Sequence, residues 1–191
     1  KHGLAATPLL GFQLGVYTDR KHAQARIHNI NVDKIHHAWQ RDAVPIVAGF
    51  QGVTPEQEIT TLGRGGSDTS AVALAAALKA DACEINTDVD GMFSADPRII
   101  PEAKLLRRVD FQVALEMASL GSKVLHPRSV ELAAKFEIPL IVRNTFKPDS
   151  DRRTLIMPYS ANDAIEAPVV SGISVEKEVA RVSVVGFGDE P

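Results

Sequence analysis

The chain has 191 residues, 45% of them hydrophobic and 24% charged, with a formal net charge of −3. That gives one core with room for a small second unit, and the missing basic excess argues against a nucleic-acid surface. The longest purely apolar run, Ala71–Leu78, falls far short of the ~20 residues of a membrane-spanning helix, and the opening KHGLAATPLL lacks the apolar stretch of a signal peptide.

The single cysteine, Cys83, rules out an internal disulfide framework and points to a reducing compartment, the cytoplasm; it reads as a buried structural thiol. Both ends read as cut in mid-element, so a piece of a longer protein is expected.

In chain order, short strands are expected at Leu14–Tyr17 and Ala25–Ile30. A helix is expected over Val32–Gln40, where Ile35 and Trp39 stand one turn apart. Val44–Phe50 is a continuous apolar, β-branched run, the pattern of a buried parallel strand. The following QGVTPEQEITTL reads as a loop or short hairpin. A glycine knot, LGRGGSD, then runs into a helix over Thr69–Lys79, with Ala71, Leu74, Ala75 and Leu78 on one face.

ACEINTD is a further strand, and VDGMFSADPRIIP a long loop rich in Asp, Gly and Pro. Asp110 caps a helix running to Gly121, and Pro127 opens another through Phe136. Ile138–Phe146 is a third apolar strand. Strands alternating with helices argue an α/β sheet covered on both faces. From Lys147 the texture turns polar and proline-punctuated, as in a linker, and Val169–Phe187 alternates in the manner of a hairpin or the first edge of a small second domain.

Glycine-rich turns that open a helix make anion sites, because unpaired N–H groups and the helix dipole both favour negative charge. Gly65 and Gly66 let the backbone approach an anion. Ser67 or Asp68 can cap the helix, and Arg64 offers a planar fork for a carboxylate or phosphate. No lysine completes a Walker loop and no third glycine a dinucleotide fingerprint. A tight strand-to-helix turn with a solvated arginine is the alternative.

A second cluster, TDVDGMFSADPR, follows a strand, where α/β folds place ligands. It lacks the spacing of a calcium loop. Asp88, Asp90, Asp96 and Arg98 can surround a nucleotide, or simply form a polar loop. Lys123, in GSKVLHPRS, is a candidate phosphate-neutralising cation or an ordinary surface charge. The six histidines show no ligand spacing, so no metal site is expected from them.

Taken together, VAGFQGV, ITTLGRGGSDTSAVALAAALKAD, EINTDVDGMFSADPR and EMASLGSKVLHPRSVELA resemble the C-terminal, nucleotide-binding part of the aspartate kinase catalytic domain, in the amino-acid kinase superfamily. The resemblance covers residues 11–146, and residues 169–191 resemble the opening of the ACT regulatory domains that follow in that family. It implies a three-layer α/β/α fold over residues 1–146, a linker over 147–168 and the start of an ACT-like α+β domain over 169–191.

It also implies phosphoryl transfer from ATP, carried with Mg2+, to the β-carboxylate of L-aspartate. By motif, Arg64, Gly65, Gly66 and Ser67 would hold aspartate, and Asp68 would organise the catalytic lysines. Thr87, Asp88, Phe93, Ser94, Ala95, Asp96, Pro97 and Arg98 would line the nucleotide site, with Lys123 and Val124 by the phosphates. An amino-acid feedback effector acting through the ACT region is implied, as is an oligomer of one or two kinds of chain. The family's Lys-Phe-Gly-Gly loop is absent from this sequence, so the piece alone is expected to show little or no activity. The competing readings are another superfamily kinase, for acetylglutamate, glutamate, uridylate or carbamate, and a non-catalytic regulatory or assembly module.

Overall fold

The computed structural model describes residues 3–122, 124–158 and 172–173. The chain starts with strand β1 (Ala6–Leu9) and a single turn of helix, α1 (Gly11–Leu14), closed by Gly15 in the left-handed conformation. Strands β2 (Val16–Thr18) and β3 (Ile27–Ile30) follow and pair antiparallel. The strand expected at Leu14–Tyr17 therefore begins two residues later, because Leu14 ends α1.

Helix α2 (Asp33–Trp39) buries Ile35 and Ala38, while Trp39 is 47% exposed and meets His36 edge-on at 5.3 Å. Strand β4 (Val44–Val47) pairs in parallel with β1, as its sequence suggests. It is not buried, however: Val44 and Ile46 are 44% and 55% exposed, because among the described residues its sheet holds only one other strand, β1. β-branched composition reports the extended backbone here and not the burial.

Strands β5 (Gln51–Val53) and β6 (Ile59–Thr61) form the hairpin foreseen in QGVTPEQEITTL and extend the β3–β2 sheet. Helix α3 (Gly66–Leu78) leads to strand β7 (Cys83–Thr87). A two-residue strand, β8 (Arg108–Val109), precedes helices α4 (Phe111–Ser119) and α5 (Pro127–Phe136). Strand β9 (Leu140–Asn144) lies parallel to β7, and β10 (Arg153–Ile156) returns antiparallel to β9 and parallel to β8. The polar stretch after Phe146 thus contains a strand with fully buried Thr154 and Ile156. Most of 159–191, and with it the expected hairpin, lies outside the described residues.

Two apolar clusters hold this together. One gathers Val72, Ala75, Ile85, Val109, Phe111, Val130, Leu140, Val142 and Ile156 between the β7–β9–β10–β8 sheet and helices α3, α4 and α5. The other gathers Leu9, Leu14, Val16, Ile30, Ile35 and Ala73 under the N-terminal elements. Burying one such side chain stabilises by roughly 1.5–3 kcal/mol.

Helix α3 serves both clusters: Val72 and Ala75 face the first, Ala73 and the partly buried Leu74 and Leu78 the second. The single face expected from Ala71, Leu74, Ala75 and Leu78 is therefore only part of the contact. Its alanines bring it close to α5. Among the described residues no helix is long and apolar enough to cross a membrane.

Candidate active site

The glycine knot is held from both ends. Leu62, at the exit of β6, is fully buried, and its amide donates to the Phe50 carbonyl at 3.0 Å. Gly66 N–H donates to Gly63 O at 2.9 Å, closing a tight turn around Arg64. Gly65 is the N-cap of α3, with φ of 70° and no side-chain cap. Neither Ser67 nor Asp68 caps the helix, contrary to expectation; they lie inside its first turn, because the left-handed Gly65 starts the helix earlier.

The backbone N–H groups of Ser67 and Asp68 consequently have no acceptor among the described residues, and neither does the exposed Arg64 fork. This is the geometry of an anion cradle: free amides at a helix N-terminus beside a guanidinium.

Three residues outside the predicted set shape the cradle. Phe50 has φ of 70°, donates its N–H to Ser70 Oγ at 3.2 Å, and lays its ring so close that a Cβ on Gly66 would stand 2.8 Å from Phe50 Cδ2. His126 lies on the other side. A Cβ on Gly65 would overlap its Cβ and Cγ outright and stand 2.7 Å from its Cδ2. His126 also caps α5, accepting Arg128 N–H on Nδ1 at 3.3 Å. Arg128 then reaches back, donating to Leu62 O at 2.9 Å and Ala25 O at 2.7 Å. Only its neighbour Pro127 was legible, as a helix start; a histidine directly before that proline is the one signal that would have pointed to the cap.

Asp68 is half-buried. Burial holds its carboxyl above the usual carboxylate range. Cys83 is buried as expected, its thiol pushed up to about 11 by burial and by the negative charge of Asp68.

The second predicted cluster sits at the C-terminal end of β7. Thr87 Oγ1 donates to Asp88 Oδ1 at 3.1 Å. Asp96 accepts from Arg98 in a fork, Nε to Oδ1 at 3.0 Å and Nη2 to Oδ2 at 2.8 Å. This pairing, then the Asp88 charge, raises the exposed Arg98 guanidinium above its ordinary value. Thr87, Asp88, Asp96 and Arg98 are thus brought together.

Ser94 holds the base of the loop by main-chain and side-chain bonds to Lys104, beside a bridge between Phe93 and Leu105. Ala95 and Pro97 complete the turn between them, Ala95 half-buried and Pro97 exposed. Asp90 stands apart. Its carboxylate takes Asn144 Nδ2 at 2.9 Å, Lys147 Nζ at 3.0 Å and Arg152 Nε at 2.8 Å, so it ties the loop after β7 to the end of β9 and the segment that follows.

Val124 lies half-buried in the turn before α5, and Lys123 falls outside the described residues. Among the described residues no group of three or more His, Cys, Asp or Glu is arranged to hold a metal. A separate open groove lined by Thr18, Asp19, Arg20, Lys21, His28 and Pro55 includes none of the predicted residues.

The model of the Amino acid kinase family matches residues 1–144. The chain belongs to the amino acid kinase family. Within it, the chain is 48% identical over 191 residues to the aspartate kinase of Pseudomonas putida, covering 100% of this chain and 46% of that one. It resembles the crystal structure of Escherichia coli aspartokinase III in complex with aspartate and ADP, at a TM-score of 0.74 and 31% identity, over 83% of this chain and 36% of that one. The same enzyme with lysine and aspartate gives a TM-score of 0.68 at 30% identity, over 82% and 36% of the two chains. This family member therefore spans less than half the length of the relatives it matches.

Proposed function

We propose that this chain carries the aspartate cradle and the nucleotide loop of an aspartate kinase, which transfers the γ-phosphoryl group of ATP to the β-carboxylate of L-aspartate. The observation that carries this reading is the open first turn of α3. There, among the described residues, the Arg64 fork and the amides of Ser67 and Asp68 have no partner and await an acidic ligand.

Arg64 grips one carboxylate of aspartate bidentately while Gly65, Gly66 and Ser67 let the backbone close on it. The other carboxylate then faces the nucleotide. One of its oxygens bonds to the γ-phosphorus as the bond to the bridging β,γ-oxygen breaks, giving 4-phospho-L-aspartate and ADP. Catalysis of this kind is positioning and charge neutralisation. Thr87, Asp88, Phe93, Ser94, Ala95, Asp96, Pro97 and Arg98 line the nucleotide, with Lys123 and Val124 beside its phosphates.

Mg2+ would arrive with ATP and supply neutralisation of phosphate charge. The solvent-facing Asp88 would hold it alongside the phosphates and water, since among the described residues no group of three or more His, Cys, Asp or Glu is arranged to hold a metal. Asp68, inside the first turn of α3, orients the cationic groups that meet the phosphates.

The relatives' names support aspartate as acceptor, and the lysine and ADP named with E. coli aspartokinase III support a nucleotide and an amino-acid effector. Residues 169–191 are proposed as the start of the ACT-like domain through which that effector acts, in a cytoplasmic oligomer. The natural full-length chain carrying this sequence should form ADP dependent on aspartate and ATP, and not on acetylglutamate, glutamate, uridylate or carbamate. Turnover with one of those acceptors instead, or amino-acid binding without nucleotide binding, would overturn the reading. The 191 residues alone should show little or no turnover.

A further inference from the structure

The first turn of α5 does more than start a helix. Its cap residue presses on the N-cap glycine of α3, and two residues later its arginine binds the backbone on the near side of the same knot. Gly65 and His126 are in direct van der Waals contact, with no room for a methyl group between them. Arg128 donates to the carbonyl of Leu62, the first residue of the knot, and to that of Ala25 in the neighbouring loop. Ala25 is in turn bound by its own N–H to Thr61 O at 3.0 Å, so the arginine, the loop and the end of β6 close one ring of hydrogen bonds. The effect of these groups is on the shape of the knot.

We infer that His126 and Arg128 are positioning residues that fix the Leu62–Gly66 backbone in the form that receives the substrate carboxylate. The inference rests on the reading of that knot as the aspartate cradle. The cap is the hinge of the device. Nδ1 of His126 accepts the Arg128 amide, so the ring plane is set by a backbone bond. That orientation places the ring against Gly65 and aligns the Arg128 stem toward Leu62. An amide side chain at 126 offers an acceptor at a similar reach, which methyl does not. Arg128 cannot be replaced by lysine, because a single ammonium cannot hold two carbonyls on separate segments with a planar fork.

The test uses the natural full-length chain carrying this sequence and reads aspartate and ATP separately. His126→Ala should raise the KM for aspartate by about tenfold while the KM for ATP stays within about twofold, and Arg128→Lys should do the same. His126→Asn should recover the aspartate KM to within about threefold of wild type, since asparagine is a good helix cap. A merely structural role would lower thermal stability without separating the two substrates.

The inference is overturned if both KM values rise together. It is equally overturned if neither variant moves the aspartate KM, or if His126→Asn is no better than His126→Ala. Calorimetric titration of aspartate into the wild-type chain distinguishes the two levels: no binding and no turnover there sinks the cradle reading itself, whereas wild-type binding with insensitive variants sinks only the positioning role. Should His126→Ala fail to fold, Arg128→Lys and His126→Asn carry the same comparison.

Discussion

Replacing Gly65 by alanine attacks the cradle at its tightest point. Two costs are separable. The backbone φ of 70° places an L-residue in the left-handed region, which costs roughly 1–2 kcal/mol. The new methyl would also overlap His126, where forced overpacking costs roughly 1–3 kcal/mol. The sum, about 2–5 kcal/mol, is a large fraction of the roughly 5–15 kcal/mol by which domains are stable.

Urea unfolding followed by circular dichroism measures it, in a double-mutant cycle with His126→Gly. Glycine is needed at 126 because the His126 Cβ is itself in the way, and glycine is an acceptable N-cap. In the His126→Gly background the cost of Gly65→Ala should fall to the backbone part alone, about 1–2 kcal/mol. A Gly65→Ala variant within about 0.5 kcal/mol of wild type, or a cycle with no coupling, would refute the packing argument.

Thr154→Val should destabilise by about 2–4 kcal/mol, since it strands the Met92 N–H and the Leu106 carbonyl that the buried hydroxyl joins at 2.8 and 2.6 Å. Amide exchange at Met92 should accelerate with it. Asp90 is held below its ordinary value of 3.8, first by the Lys147 hydrogen bond, then by Asn144 and the Lys147 and Arg152 charges. Its ionised form therefore stabilises the fold above about that pH, and the stabilisation fades as pH falls through the lowered value. Asp90→Asn should thus be less stable than wild type at pH 7, with the gap closing in acid, as unfolding at a series of pH values would record. Cys83, buried with a thiol pushed up to about 11, should resist thiol reagents at pH 8 until the chain unfolds, and labelling followed by mass spectrometry checks this. Arg64→Lys should weaken aspartate far more than ATP, because an ammonium loses the bidentate grip.

The parts of this molecule that were readable from its residues are those whose chemistry is local. The knot announces itself because a tight turn into a helix needs glycines, and Gly65 indeed takes the conformation that only such a residue takes easily. Asp110 accepts Gln112 N–H at 2.8 Å as a helix cap should. What stayed hidden is set by distant partners. Strands β8 and β10 are short and begin with arginines, and they exist only because β10 finds β9 and β8. The exposure of β4 depends on which neighbours it has, and its own residues carry no record of that. Asp90 resembles its fellow aspartates in sequence, but its carboxylate is spent on Lys147, Asn144 and Arg152. His126 belongs to a residue type seldom used as a cap, and its contact with Gly65, 61 residues earlier in the chain, is visible only in the fold.

The two carbonyls gripped by Arg128 come 66 and 103 residues earlier in the chain. During synthesis the glycine turn therefore emerges from the ribosome long before the guanidinium that locks it. Until that arginine has been translated and has closed those long loops, the nascent chain carries every atom of the turn without its final curvature. On the proposed reading of that turn, ligand competence is a late event in the life of the polypeptide, conferred retroactively on residues made much earlier.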